Sequence, residues 1–555
     1  MNMNKIFRNS LLVLAAGAFV VSCADYNVTD NFSAEPDPSY VEPYKDLGPV
    51  KSYIDREKYP NMALGATLKV ADFNKQELAH AAAVTNFDDY AFGNTLMSGT
   101  IINGKGVMNF LDMKDLLDHV EEIGGEVFGS PIAANATQPD EWLSLLTAPI
   151  EIPVDFVEEK TVDFTTMTTF DGTVEGGSGV IENFDGVNTL KVGLVSKVRI
   201  IEDFHVDPLA TYTVTFWARA TKDASYNVTF SGKAVDGGGA NGRWSFPANK
   251  WVKVTVESKC AEDATEGYLR IENTRSAPIY IKNVSVGYYP DNHRPQTAQE
   301  LNDTIHYALD AWCDGLMKIN AGRITSFDLI DEPLDPKSEL ESGVYDLKHS
   351  TDKIFWQDIF GSENYAPTIS KVAKAAYEKH GGDPAALKFF ISETGLENEK
   401  TFESLKYWMN IWDKNGAKID GINAKLNLTY SEDATLQAAN VATLNKLLDN
   451  LAKTGKLIRL SNFDIKYQDA EGNNVSATDI TKAQRQKLAD YYGEVIKSFM
   501  NKIPHEKQAG LCKGNLLDTS DPVGLWANEV IDAKGTRDWV RTATYKAFCD
   551  ALSGK

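Results

Sequence analysis

The stretch Phe327-Asp328-Leu329-Ile330-Asp331-Glu332-Pro333-Leu334 decides the fold of this 555-residue chain. It is an apolar run of β type that ends in two carboxylates followed by proline. Similar short runs lie on both sides of it, and longer helical patterns alternate with them. The eight predicted strands are 62–68, 83–87, 126–132, 324–330, 387–392, 419–423, 456–461 and 509–512. Eight strands that alternate with helices predict a (β/α)8 TIM barrel of the α/β class.

Residues 151–291, between the third and fourth predicted strands, follow a different pattern. Segments 212–219 and 251–256 alternate polar and apolar residues at period two, and a Gly-rich turn lies at 235–242. This pattern predicts an all-β sandwich inserted into the barrel. Segment 277–286 resembles the last strands of jelly-roll carbohydrate-binding modules, which implies a jelly-roll sandwich of that type. The barrel itself is then formed by residues 49–150 (strands 1–3) and 292–555 (strands 4–8). In the insert, Trp244, Phe246 and Trp251 are either a platform for sugar rings or part of the sandwich core.

The first 22 residues are typical of an export signal. Lys5 and Arg8 precede an apolar run at 11–21 that is too short to span a bilayer. A small residue directly before Cys23 resembles a bacterial lipobox, in which that cysteine becomes the acylated N-terminus. An ordinary signal peptide is the alternative. Residues 23–48 then form a polar tether, and we expect an outer-membrane lipoprotein that contacts the membrane through its N-terminal lipid and faces the cell surface.

Composition narrows the class of ligand. The chain has 56 Lys+Arg against 78 Asp+Glu, a net charge of -22, which repels phosphate backbones and excludes nucleic acid as a general partner. Its 10 Trp, 22 Tyr and 25 Phe favour a ligand with flat apolar faces, such as a polysaccharide. The cysteines beyond Cys23 are widely spread and lack metal-ligand spacing, so we expect neither a metal site nor a cofactor.

The run at 327–334 resembles the W-D-V-V-N-E-P block of glycoside hydrolase family 10, the retaining endo-β-1,4-xylanases. Segments 355–361, 414–423, 454–459 and 522–526 resemble further blocks of that family, in the same order along the barrel. The resemblance implies a TIM barrel whose substrate or ligand is xylan. Members from gut Bacteroidetes carry a carbohydrate-binding insert after the third strand, where the sandwich is predicted here.

The resemblance also assigns the catalytic positions. A retaining glycosidase needs two carboxyl groups about 5–5.5 Å apart, one as acid/base and one as nucleophile. The acid/base position is Glu332. The nucleophile motif I-T-E-L-D-I corresponds to Leu460-Ser461-Asn462-Phe463-Asp464-Ile465, so the nucleophile position is Asn462. An amide cannot form the glycosyl ester that the mechanism requires.

Other positions around the cleavage point also depart from the family pattern. Asn94 is kept in the family's E-N-x-M-K segment, but the lysine there is replaced by Met97. Asp331 replaces the Asn before the acid/base, while Lys425 and Asn427 replace the Gln and His of G-T-Q-M-H. The sequence therefore predicts a degenerate active site on an intact barrel framework.

Two hypotheses follow for function. The first is a xylan- or plant-polysaccharide-binding lipoprotein without hydrolysis, working in an outer-membrane glycan-uptake complex. Lys425, with Lys513, would make the cleft less acidic and suit a chain bearing uronic acid groups. Trp142 and Tyr430 would stack on sugars at the rim.

The second hypothesis is an active endo-β-1,4-xylanase with a rearranged catalytic pair. Glu332 would act as the acid, and Asp331, Glu393 or Asp464 would act as a base towards water. An inverting mechanism tolerates about 6.5–9.5 Å between the carboxyl groups. Glu393, at the end of the fifth strand, is the best-placed candidate. The sequence favours binding but leaves open whether the protein is an enzyme.

Overall fold

Eight parallel strands close into a barrel, in a computed structural model that describes residues 42–231, 233–234, 243–273, 277–290 and 292–555. The strands are β1 (Ala63–Thr67), β2 (Asp89–Ala91), β3 (Glu126–Gly129), β4 (Ser326–Asp331), β5 (Lys388–Thr394), β6 (Gly421–Lys425), β7 (Leu457–Ser461) and β8 (Gln508–Lys513). Each pairs with its successor, and β8 pairs with β1. The predicted TIM barrel is confirmed.

Helices follow the strands, and several begin at a residue whose side chain caps the helix N-terminus. They are α1 (Val70–Asn74), α2 (Leu78–Asn86), α3 (Ser98–Ile101), α4 (Leu111–Glu122), α5 (Asp140–Leu146), α6 (Ala298–Asn320), α7 (Trp356–Phe360), α8 (Tyr365–Lys379), α9 (Glu399–Lys414), α10 (Ala434–Lys453), α11 (Lys482–Lys502) and α12 (Ala543–Leu552). Thr297 with Glu300 and Thr481 with Gln484 form capping boxes at α6 and α11. Asn398 and Asp433 cap α9 and α10.

The second predicted strand is wrong. Residues 83–87 fall mostly in α2, and the strand proper is the three-residue β2 that follows. Three consecutive alanines, Ala81-Ala82-Ala83, favour helix here and outweigh the short β-branched pair after them. The buried faces of Ala82 and Ala83 pack on the barrel core, which a helix between β1 and β2 requires.

A buried ion pair crosses the barrel interior. Arg459 on β7 donates from Nη2 to Asp89 Oδ2 on β2 at 2.6 Å, and both side chains are at most 5% exposed. The guanidinium also lies 4.0 Å from the ring centroid of Phe128. Gly65 makes room for the pair, because a Cβ there would lie 2.6 Å from the Asp89 carboxylate. The pair therefore depends on three strands keeping their register.

The chain forms two compact units, and the second is Pro149–Gln296. Two antiparallel six-stranded sheets enclose its own apolar core. Sheet A contains Val174–Gly176, Ser196–His205, Ala224–Phe230, Lys233–Ala234, Arg243–Phe246 and Glu266–Asn273. Sheet B contains Val157–Asp163, Gly179–Phe184, Val187–Val192, Thr211–Ala220, Val252–Lys259 and Ile279–Tyr288. The period-two pattern produces this sandwich, since alternate residues face the core.

Some of the predicted features lie outside the described residues. Cys23, the signal segment and the tether up to residue 41 lie outside, as does the side chain of Trp244. Within the described ranges the four remaining cysteines are buried and form no disulfide, no group of side chains could hold a metal ion, and no helix is long and apolar enough to cross a membrane.

We predict that Asp89→Ala destabilises the barrel strongly. It leaves the Arg459 guanidinium buried without its counter-charge, which costs about 3–5 kcal/mol of unfolding free energy. Urea denaturation measures this loss. The matched control is Glu403→Ala, at a pair with Lys406 in which the two side chains are 50% and 51% exposed, where the expected loss is about 0.5 kcal/mol. Equal losses in the two variants would show that the interior pair does not hold the strands together.

Candidate functional site

A cavity of about 190 Å³ opens at the carboxyl ends of the barrel strands. This is the end at which TIM-barrel enzymes place their active sites. Its lining is Thr67, Ala91, Phe92, Gly93, Asn94, Met97, Phe128, Gly129, Ser130, Pro131, Asp328, Asp331, Asn423, Lys425, Arg459, Ser461, Asn462 and Cys512. Enclosed ligand pockets measure about 300–1,000 Å³, so the cavity is too small to enclose more than part of a sugar chain.

Lys425 pairs with two carboxylates at the opening of this cavity, the barrel mouth. Its Nζ donates to Asp331 Oδ1 and, at 3.1 Å, to Glu332 Oε1. The lysine side chain is only 19% exposed, and burial alone would lower its pKa. The two carboxylates outweigh burial and raise that pKa, so Lys425 stays charged. One ammonium thus holds Asp331 and Glu332 in a single ionic cluster.

The backbone at Glu332 is itself constrained. Its φ is 44°, in the left-handed region that a residue with a Cβ adopts at a cost of about 1 kcal/mol. Its N–H donates to the Ser392 carbonyl at 2.8 Å, and its own carbonyl accepts from Lys348 Nζ at 2.6 Å. The hydroxyl of Ser392 donates to Asp331 Oδ1 at 2.6 Å. Contacts from β5 and Lys348 therefore fix the end of β4.

Asn462 lies on the opposite part of the mouth, directly after β7, and also has a positive φ of 50°. Asparagine tolerates this conformation better than most residues. Its side chain is exposed, lines the cavity and makes no hydrogen bond to the described residues. An amide at this position offers one acceptor and two donors to a ligand but no nucleophile.

Glu393 occupies a buried position at the end of β5, with 3% exposure. Its Oε1 accepts from the N–H of Thr394 at 2.9 Å and its Oε2 from the N–H of Leu334 at 3.2 Å. Burial raises the pKa of Glu393 to about 7 despite these donors. Oε2 therefore holds the turn after β4 and Oε1 the end of β5, and the carboxylate is not part of the cavity lining.

The carboxylate of Asp464 is also held by neighbouring protein groups. It forms an ion pair with Lys513, accepts from the Asn515 N–H at 3.1 Å and accepts from Asn515 Nδ2 at 2.6 Å. Gly514 permits this cluster, because a Cβ there would lie 2.5 Å from Asp464 Oδ2. The expectation that Lys513 adds positive charge to the cleft is wrong, since its side chain is fully buried.

Two cavity residues, Asp328 and Asn423, were missed by the sequence reasoning. Asp328 on β4 is 5% exposed and accepts from Asn423 Nδ2 with both oxygens, at 3.2 and 2.9 Å. Burial, helped by the nearby Asp331 charge, raises the pKa of Asp328 to about 7. The signal available was a polar residue inside each of two otherwise apolar strands.

The remaining predicted binding residues divide into two groups. Asn94, at the cavity, and Asn427, after β6, are exposed. The prediction that Trp142 stacks on sugars at the rim is wrong, because its side chain is only 5% exposed. Gly106 packs so closely against it that a Cβ on that glycine would lie 2.4 Å from the indole nitrogen. Tyr430 is half-buried and stacks on Tyr467 with ring centroids 5.1 Å apart, so one face of its ring is already covered.

Comparison with known proteins agrees with this geometry. Residues 290–514, less than half of the chain, match the family model described as Glycosyl hydrolase family 10. No match was found among curated proteins.

Among solved structures, the chain is similar to a GH10 endoxylanase from a sugarcane soil metagenome, with 10% identity and a TM-score of 0.51. It is also similar to xylanase B from Clostridium stercorarium F9, with 10% identity and a TM-score of 0.50. Each alignment covers 91% of this chain and 100% of the other. At these identities the likeness shows the fold alone.

We predict that Glu393→Gln changes how stability depends on pH. The folded carboxyl has a pKa of about 7 and the unfolded one about 4.3, so between these values the folded state alone binds the proton. Wild-type stability therefore falls as pH rises through that window, and the variant lacks this fall. Relative to wild type, the variant should gain about 3 kcal/mol of unfolding free energy between pH 4.5 and pH 8.

Asp328→Asn should shift the same comparison in the same direction, because its folded pKa is also about 7. Urea midpoints measured at half-unit pH intervals give both curves. Variant curves that run parallel to wild type over this range would contradict the assigned ionisation.

Proposed function

We propose that the protein binds a xylan-type plant polysaccharide at the barrel mouth and does not hydrolyse it. The observation that carries this proposal is Asn462, an exposed amide at the position that the family resemblance gives to the nucleophile. A retaining mechanism needs a carboxylate there. Glu332, the acid/base position, is left without a catalytic partner on that strand.

The carboxylates that could substitute are all engaged with protein groups. Asp331 is paired with Lys425, Asp464 with Lys513, and Glu393 is buried on two backbone N–H groups. A base must reach the attacking water within hydrogen-bond distance. Freeing Asp464 or Glu393 would leave a buried cation or buried donors unpaired, which costs several kcal/mol, and freeing Asp331 would leave Lys425 with Glu332 alone. These contacts support binding over the rearranged-hydrolase hypothesis.

The groups left available at the mouth suit a neutral, hydroxyl-rich chain. Asn94, Asn427 and Asn462 are exposed amides, and each can both donate to and accept from sugar hydroxyls. Lys425, by contrast, has its charge balanced by Asp331 and Glu332. The idea that it recognises a uronic acid at this site is therefore not part of the proposal.

We further propose that the chain is anchored in the outer membrane through acylated Cys23 and presents the barrel at the cell surface within a glycan-uptake complex. The support is the sequence pattern around the cysteine and the polar tether after it. Labelled palmitate incorporated by cells expressing the full-length chain, but not by cells expressing Cys23→Ser, is the expected result.

We predict that the purified chain is retarded in a native gel cast with xylan and that the gel stains intact afterwards. Asn94→Ala and Asn462→Ala should each weaken retention roughly fivefold, the effect of about 1 kcal/mol for one hydrogen bond. Asn410→Ala, an exposed amide on the outer helix α9, is the matched control and should behave like wild type.

Glu332→Gln separates binding from hydrolysis in the same gel. If the wild type clears the stain and Glu332→Gln does not, the protein is a hydrolase and the proposal is wrong. Asn462→Glu alone should remain without product, because Lys425 still holds Glu332 and Asp331.

A further inference from the structure

The outer face of sheet B in the inserted unit carries an aromatic and cationic patch. Along Thr211–Ala220 alternate residues are buried, so Trp217 and Arg219 project away from the sandwich core. Trp217 is 40% exposed and is the one exposed tryptophan among the residues whose side chains the structure describes. Its cross-strand neighbour on Val252–Lys259 is Lys253, an exposed lysine.

Further aromatic rings support the patch on the adjoining strands. Phe184 stacks on Tyr280 with centroids 3.7 Å apart and planes 7° from parallel. Trp251 meets the edge of Phe184 at 6.5 Å, and Lys282 Nζ lies 4.1 Å from the Trp251 ring centroid. Since Lys282 covers one face of Trp251, that ring fixes the position of the lysine, while the Trp217 ring makes no aromatic or cation contact within the described residues.

The charges of the patch do not balance. Lys191 pairs with Glu182 at 2.7 Å, and Arg219 pairs with Asp185. Within the described residues, Lys253 and Lys282 make no ion pair. Two uncompensated ammonium groups beside an exposed tryptophan stand out in a chain with a net charge of -22. They attract an anionic group, and the ring attracts a flat apolar face.

We propose that this patch is a second glycan-binding site, which takes a xylan-type chain carrying uronic acid groups. The sugar ring stacks on Trp217, and Lys282 and Lys253 pair with the uronate carboxylate. Strands lie about 4.8 Å apart, so a chain that crosses the five adjacent strands of sheet B has about 19 Å of surface, enough for several sugar rings. The polysaccharide class rests on the proposed function, but the site is a different one.

The test compares retention of the purified full chain in native gels cast with glucuronoxylan or with neutral arabinoxylan. Trp217→Ala should weaken retention at least tenfold in both gels, because stacking serves either chain. Lys282→Gln should weaken retention at least threefold in glucuronoxylan and leave arabinoxylan within twofold. Tyr289→Ala, 60% exposed elsewhere in the unit, and Lys259→Gln, at the other end of the Lys253 strand, are controls that should match wild type.

Several outcomes overturn the proposal. Wild-type retention by both Trp217→Ala and Lys282→Gln, with loss only in Asn94→Ala and Asn462→Ala, means that the barrel alone binds and that the patch does not. An equal effect of Lys282→Gln in the two gels contradicts the preference for uronate. Loss only in the patch variants supports this site and contradicts the barrel site. No retention of wild type in either gel contradicts both.

Discussion

The ammonium of Lys425, held between the carboxylates of Asp331 and Glu332, sets the chemistry of the barrel mouth. The side chains of Asp331 and Glu332 are 11% and 35% exposed, and β6 supplies the counter-charge for these two neighbouring acidic groups. The same contact occupies an oxygen of Glu332. Asn462, directly after β7, adds an exposed amide that makes no hydrogen bond to the described residues. The mouth therefore combines carboxylates held by a lysine with an amide that is available to a ligand.

The residues of the mouth can vary because the stability of the barrel depends on contacts elsewhere in the fold. Arg459 and Asp89 join β7 to β2 inside the barrel, and capped helices cover the outside. Neither feature involves Glu332 or Asn462. Loop and strand-end residues can therefore change while the framework persists, which is why TIM barrels support many different sites. The match to the family model over 290–514 is therefore compatible with a mouth that carries Lys425 and Asn462.

The sequence predicted most barrel strands because long apolar runs with a helix after each are a strong signal. It failed at β2, which has only three residues and follows an alanine-rich helix. It placed Asp331, Glu332 and Lys425 together, since strand ends meet at one edge. It could not predict that Lys425 pairs with Asp331 and Glu332, or that Lys513 pairs with Asp464. The path of a long side chain depends on neighbours from several strands. Trp142 was misjudged for the same reason: burial depends on contacts remote in sequence.

The central claim is that the mouth holds a xylan chain without cleaving it. The most direct measurement is mass spectrometry of xylohexaose incubated with excess purified protein in H₂¹⁸O for a day. The account predicts intact hexaose, with no shorter product that carries the label. Labelled shorter oligosaccharides that disappear with Glu332→Gln would contradict it, because they require a water molecule to be activated at this site.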